Sequence, residues 1–249
     1  MAGNPSPQKI RQPAWALDDG VCRDYCAGKF ASQRKRLETT PEPTLPIEED
    51  MQDNFFDANY RVGWDSGFGS RVGSTATYRY IIESFIRLND VHNVLDLGCG
   101  DWQFSKLIPW DNYDISYLGL DVSPLIIEKN TATFGNERRQ FKVIREPSEV
   151  FGLGRFDLVI CKDVLIHVPN SVVNEYLDVF VAVARHALIT VDAFPPYRIN
   201  EDINLGDYRA MDLRRAPFSR SSTIIAEYVN FTGDIFWVKH VHLLTGHSS

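Results

Sequence analysis

The stretch from Val94 to Ser123, VLDLGCGDWQFSKLIPWDNYDISYLGLDVS, constrains this chain more than any other. It reads as an apolar strand from Val94 to Leu97, a turn at Gly98 and Gly100, a short helical stretch, and a second strand from Tyr117 to Leu120 ending at Asp121. Paired glycines let a backbone turn sharply and approach a ligand with no Cβ in the way. Asp121 follows the turn by about 20 residues, where a nucleotide-binding βαβ unit sets an acid on ribose hydroxyls. The stretch predicts a site for a nucleoside-bearing cofactor.

Glycine spacing selects among such cofactors. The dinucleotide fingerprint G-x-G-x-x-G needs a third glycine where Gln103 stands. An acid precedes the turn instead, in Asp96-Leu97-Gly98-Cys99-Gly100. This resembles motif I of the class I S-adenosylmethionine-dependent methyltransferases, D/E-x-G-x-G-x-G, with Trp102 in place of the third glycine. S-adenosylmethionine has no pyrophosphate, so an acid near its amino group matters more than a bare helix N-terminus. By this resemblance Asp96, Gly98 and Gly100, with Cys99 and Trp102 beside them, line the methionine end. Asp121 holds the ribose, Arg145, Glu146 or their backbones face the adenine, and Val122 and Lys162 complete the cofactor-facing set.

The rest of the chain alternates strands and helices, as a doubly wound parallel sheet requires. Tyr78, Ile81, Ile82 and Phe85 recur at helical spacing behind a cap at Ser74 or Thr75. Ser123-Pro124 opens a second helix that Gly135 stops. Phe141–Ile144, Phe156–Cys161 and Ala187–Val191 read as further strands, the second continuously apolar after its first acid, as a strand buried on both faces should be. Between the last two, Ser171 is the expected cap of a helix burying Val173, Tyr176, Leu177 and Phe180. Ile224–Val229 and Ile235–Leu244 read as a terminal strand pair. The expectation is an α/β fold: a mostly parallel seven-stranded sheet with an antiparallel C-terminal pair and helices on both faces. The resemblance covers roughly residues 74–245.

Residues 1–50 are punctuated by prolines and read as a partly flexible extension, with a short basic helix expected over 27–38. Residues 51–249 form the expected methyltransferase domain. Its loop near 60–75 is rich in glycine yet carries Tyr60, Trp64 and Phe68, which suits an ordered loop covering a substrate better than a disordered linker. A net charge of −7 argues against bulk nucleic-acid binding, and the place after the fourth strand reads Lys162-Asp163-Val164-Leu165 rather than a base-methylating motif. No apolar run suits a membrane span, and MAGNPSPQKI lacks the apolar core of a signal peptide. Scattered Cys22, Cys26, Cys99 and Cys161 suit free thiols in the cytoplasm. Oligomeric state is not readable from the sequence.

Ligands of open α/β sheets lie beyond the strands' carboxyl ends. After the fourth strand, Cys161-Lys162-Asp163-Val164-Leu165-Ile166-His167-Val168-Pro169 resembles the region over the transferring methyl in small-molecule methyltransferases. An alcohol acceptor must lose its proton, and His167 titrates near neutrality, so it is the candidate base. Asp163 orients it or acts itself; the other reading makes His167 a brace for the next helix. Asp163 and Asp192 could also chelate Mg²⁺, but Ala193 stands where such a site would show Asn, and no metal is expected. The polar segment Asn200–Asp212 falls where this fold builds an acceptor pocket. Trp64, Asp163, His167, Asp192 and Arg209 are expected to surround one opening, with Trp64, Asp192 and Arg209 on the substrate. The predicted reaction is methyl transfer from S-adenosylmethionine to a small molecule, at oxygen over nitrogen. The alternatives are a nucleotide-dependent oxidoreductase and a non-catalytic binding module.

Overall fold

The computed structural model describes residues 57, 60–61, 63, 65–194, 198–232 and 235–246. All lie in the second of the two units into which the chain divides, Ile47–Ser249. The expected extension and its basic helix, together with Cys22, Cys26 and Trp64, lie outside the described residues.

Strands β1 (Asn93–Leu97), β2 (Ser116–Asp121), β3 (Arg139–Val143), β4 (Phe156–Lys162), β5 (Ala184–Asp192), β6 (Thr223–Thr232) and β7 (Ile235–Thr245) form one seven-stranded sheet, ordered β3-β2-β1-β4-β5-β7-β6. The first five pair in parallel, and β7 runs antiparallel to both β5 and β6. Helices α1 (Ala76–Leu88), α2 (Pro124–Phe134) and α3 (Asn170–Val183) cover it. This is the predicted architecture. Its order reverses at β1, so the carboxyl ends of β1, β2 and β4 open onto a crevice.

Two apolar layers sandwich the sheet. On one face, Val94, Leu158, Ile160, Leu188 and Val241 pack against Tyr78, Ile82 and Phe85 of α1 and Ile127 of α2. On the other, Leu95, Leu97, Val159, Cys161, Ile189 and Val191 meet Val173, Leu177 and Phe180 of α3. Central strands are therefore largely apolar on both faces, which is why β4 reads as an apolar run after Asp157 and β1 as one interrupted by Asp96.

The helix starts differ from expectation in two places. Thr75 holds the N-cap position of α1, but its hydroxyl turns back to the Arg71 carbonyl, 3.0 Å away. Helix α3 begins at Asn170 behind Pro169, with no cap from Ser171. Asp202 instead accepts the Asn170 N–H at 2.8 Å from the segment after β5. A carboxylate at a helix N-terminus satisfies an orphan donor and opposes the dipole, so a residue far along the chain replaces the local cap. At α2 the sequence reading holds: Ser123 Oγ accepts from Ile126 N, with Pro124 at the first turn. Among the described residues, no helix is long and apolar enough to cross a membrane.

Candidate functional site

The site begins at the turn after β1. Gly98 and Gly100 have φ of 73° and 54°, and a side chain on either would collide, with Val164 and with Ser66 respectively. The N–H groups of Gly98 and Cys99 both donate to the Leu120 carbonyl, at 2.8 and 2.9 Å, closing the turn onto the end of β2. There Asp121 accepts from Gly100 N at 2.9 Å and from Ser123 N at 3.1 Å. Asp121 thus holds the turn together, and its two oxygens keep further lone pairs for a ligand.

Two carboxylates share this crevice. Asp96 is 4% exposed and Asp121 8%. Burial raises Asp96 to about 7, opposed by a hydrogen bond from Tyr117, with the charge of Asp121 adding to the rise. Burial likewise raises Asp121 to about 6, opposed by the backbone N–H groups of Ser123 and Gly100. Two neighbouring buried acids, each pushed toward neutrality, suit a ligand that brings positive charge and hydroxyl groups. The ammonium, sulfonium and ribose diol of S-adenosylmethionine meet that requirement, so the residues fit the group.

The loop before α1 crosses the same crevice. Ser66 Oγ donates to Asp101 Oδ1 and accepts from Asp101 N, both at 2.8 Å. Ser123 donates to Asp57 through a short contact, and Tyr60 bonds Ser66 at 3.0 Å. Lys162 Nζ, at the end of β4, donates to the Gly69 carbonyl at 2.9 Å. The described part of the loop is therefore tied to the ends of β1, β2 and β4.

Beyond the ends of β4 and β5, four charges form a chain. Lys162 Nζ lies 2.6 Å from Asp163 Oδ2, and Lys239 Nζ lies 2.8 Å from Asp163 Oδ1 and 2.6 Å from Asp192 Oδ1. Burial would raise Asp163, but the two ammonium groups outweigh it and hold it well below the usual range. Burial lowers Lys162 against the pull of Asp163, while the two carboxylates outweigh burial and raise Lys239. Asp192 stays at about 6, raised by burial against Lys239. The space between the two aspartates considered as Mg²⁺ ligands thus holds a lysine ammonium.

His167 ends a short 3-10 turn, Leu165–His167, beyond β4. Its Nδ1 lies 2.9 Å from the Asp207 carbonyl, which can only accept, so Nδ1 carries the proton and the neutral ring's lone pair is on Nε2. Burial lowers its pKa, opposed by that carbonyl. The Tyr208 ring stands 6.1 Å from the imidazole and 5.5 Å from Trp237 of β7.

Several expected roles change. Asp163 does not orient His167; it is held by Lys162 and Lys239, and the Asp207 carbonyl orients the ring. Arg209 is fully buried and donates to the Val168 carbonyl at 2.7 Å, bracing the backbone next to His167 instead of lining an open wall. Trp102 points away from the crevice: at φ 57° it drops into a cluster with Tyr117, Phe134 and Phe141. The Cys99 side chain is buried beside Asn130 of α2, so only its backbone faces the turn. Glu146 caps the 3-10 turn Pro147–Leu153 in a reciprocal box with Glu149, and Arg145 is exposed. Val122 is half-buried at the end of β2. Sequence reasoning missed Asp57, Ser66, Asp101, Tyr117 and Lys239.

Residues 95–187 match the profile of a family described as a methyltransferase domain. A search of curated proteins finds no match. One similar solved structure concerns conversion of a disulfide bond into a thioacetal group during echinomycin biosynthesis. It is 21% identical with a TM-score of 0.54, covering 77% of this chain and 91% of that one. The methyltransferase domain of bacterial CtHen1 is 12% identical with a TM-score of 0.50, over 68% of this chain and 97% of that one. Magnesium protoporphyrin IX methyltransferase from Synechocystis PCC 6803, with S-adenosylhomocysteine bound, is 17% identical with a TM-score of 0.49, over 92% of this chain and all of that one. The first two likenesses bear on the fold alone.

Proposed function

We propose that this chain, a class I S-adenosylmethionine-dependent methyltransferase, methylates a small-molecule acceptor at oxygen in preference to nitrogen. One observation carries the choice of atom. The Asp207 carbonyl fixes the proton of His167 on Nδ1, and burial favours the neutral ring, so the ring's basic lone pair lies on Nε2. A hydroxyl acceptor needs such a base; an amine already neutral does not.

Bound S-adenosylmethionine supplies an activated methyl on its sulfonium. The work left to the protein is alignment and proton removal. In this reading Asp96 takes the cofactor's ammonium and Asp121 its ribose hydroxyls, with Gly98, Gly100 and Val122 offering backbone. The loop tied through Ser66 and Lys162 excludes water from above. His167 takes the acceptor's proton, while the neutral set of Lys162, Asp163, Lys239 and Asp192 gives the acceptor a fixed polar wall. Residues 51–249 are read as the catalytic domain and 1–50 as an extension. Unpaired thiols at Cys99 and Cys161 accord with a cytoplasmic setting.

The test is transfer of labelled methyl from S-adenosylmethionine to a panel of matched hydroxyl and amine compounds. Label should enter hydroxyl acceptors and fall sharply in His167→Gln. Incorporation confined to amines, or unaffected by His167→Gln, would overturn the assignment.

A further inference from the structure

The residue standing where motif I has its third glycine is Trp102, and its ring faces away from the crevice. It still reaches the crevice through one intermediary. Trp102 Nε1 lies 2.9 Å from Tyr117 Oη, and Tyr117 Oη lies 2.6 Å from Asp96 Oδ2. An indole N–H can only donate, so the phenol oxygen accepts from it, and the single phenol proton is left to point at Asp96. The direction of the chain is therefore fixed: Trp102 to Tyr117 to Asp96.

Packing holds each member in place. Trp102 is 2% exposed, with ring centroids of Phe134, Phe141 and Tyr117 at 4.9, 5.5 and 5.6 Å. Trp110 lies 5.0 Å from the Tyr117 ring on another side. Register brings the pair together: Tyr117 pairs with Val94, two residues before Asp96 on the same face of β1. A hydrogen bond to a carboxylate favours the charged form, more so from a donor that is itself polarised.

We propose that Trp102 and Tyr117 form a one-way hydrogen-bond relay that favours the ionised form of Asp96 against its burial and aims it at the cationic end of the cofactor. Both are positioning residues that act through Asp96. The inference rests on the reading of Asp96 as the group that takes the cofactor's ammonium. Other groups also act on this carboxylate. Asp121 at the end of β2 opposes its ionisation and Lys162 at the end of β4 favours it; Tyr78 of α1, Cys99 of the turn and Cys161 of β4 face the same charge. None of these hydrogen-bonds its side chain among the described residues; Tyr117 does.

The test is the affinity for S-adenosylhomocysteine, measured by calorimetry between pH 6 and pH 9 in native protein, Tyr117→Phe, Trp102→Phe and Asp96→Asn. Binding of an ammonium by a carboxylate gives a bell, whose acid limb belongs to Asp96 and alkaline limb to the ligand. Tyr117→Phe should move the acid limb up by about one to two pH units and weaken binding at pH 7 roughly tenfold, with the deficit fading toward pH 9. Trp102→Phe should move the same limb by less, and it carries the comparison if Tyr117→Phe does not fold. A deficit that is constant across pH would mean a merely structural role and overturn the relay, as would no deficit at all. Asp96→Asn separates the two readings. Loss of the acid limb there, with an unmoved limb in Tyr117→Phe, sinks the relay alone; native behaviour in Asp96→Asn sinks the assignment of Asp96 itself.

Discussion

Lys239 reaches Asp163 across 76 positions of sequence, its Nζ 2.8 Å from Asp163 Oδ1. A second carboxylate, Asp192, lies 2.6 Å away on the same ammonium. Removing one member of a buried ion pair leaves the others uncompensated, at a cost of about 3–5 kcal/mol. Lys239→Met should destabilise the fold by that order.

The pH dependence of that variant follows from the same contacts. Asp163 is held below the ordinary carboxylate range. In native protein its stabilisation is present above about pH 4 and lost as pH falls through the depressed value. In Lys239→Met the facing carboxylates are raised, so the penalty is full at alkaline pH and shrinks as acid protonates one of them. Urea unfolding at pH 8 and pH 5 should show the gap to native protein narrowing at the lower pH. A gap equal at both would contradict the pairing.

The covering loop gives a second prediction. Ser66→Ala removes both the donor to Asp101 Oδ1 and the acceptor of Asp101 N. Each such bond contributes about 1 kcal/mol, and this one is partly exposed. Cofactor dissociation should speed up about fivefold while the melting temperature falls by only about 2–6 °C. Stopped-flow release of S-adenosylhomocysteine reads the first and calorimetric melting the second; an unchanged release rate would mean the loop does not retain the cofactor.

His167→Ala should lower turnover by about 10²–10⁴-fold, the range for a general base, and leave cofactor affinity nearly intact. Because burial lowers this imidazole from its ordinary 6.5, the acid limb of the kcat profile should lie below pH 6.5, with a flat rate above it. An acid limb above pH 7 would assign the base elsewhere.

Arg209 is expected to behave as a brace. Its Nη1 holds the Val168 carbonyl, and it directly follows the Asp207–Tyr208 pair that meets His167. Arg209→Met should lower stability and kcat together while leaving the acceptor KM within about twofold. A raised KM with unchanged kcat would restore Arg209 to the acceptor wall.

What the sequence disclosed and what it hid divide along one physical line. Asp96, Gly98, Gly100 and Asp121 lie in one turn and the adjacent strand, so their spacing and the motif it resembles marked them in the sequence. The strands were legible because β1 and β4 are largely apolar on both faces. Lys239 was not, because nothing in FWVKHVHLL names its partners, and only the pairing of β7 with β5 sets it opposite Asp192. Ser66 and Tyr117 likewise gain their roles from partners brought close by the fold. Trp102 was assigned to the cofactor because it fills a motif position, yet its left-handed backbone turns the ring into the core.

The central claim is that the turn after β1 and the acid after β2 hold S-adenosylmethionine. Calorimetric titration of S-adenosylmethionine, and separately of NADH, into native protein and Asp121→Ala tests it most directly. The account predicts saturable binding of S-adenosylmethionine and no heat with NADH. In the variant, affinity should fall by about 1.5–3 kcal/mol, roughly ten- to a hundredfold, from the lost hydrogen bonds to a charged group and a loosened turn. Native affinity in a folded Asp121→Ala protein, or binding of NADH in place of S-adenosylmethionine, would contradict it.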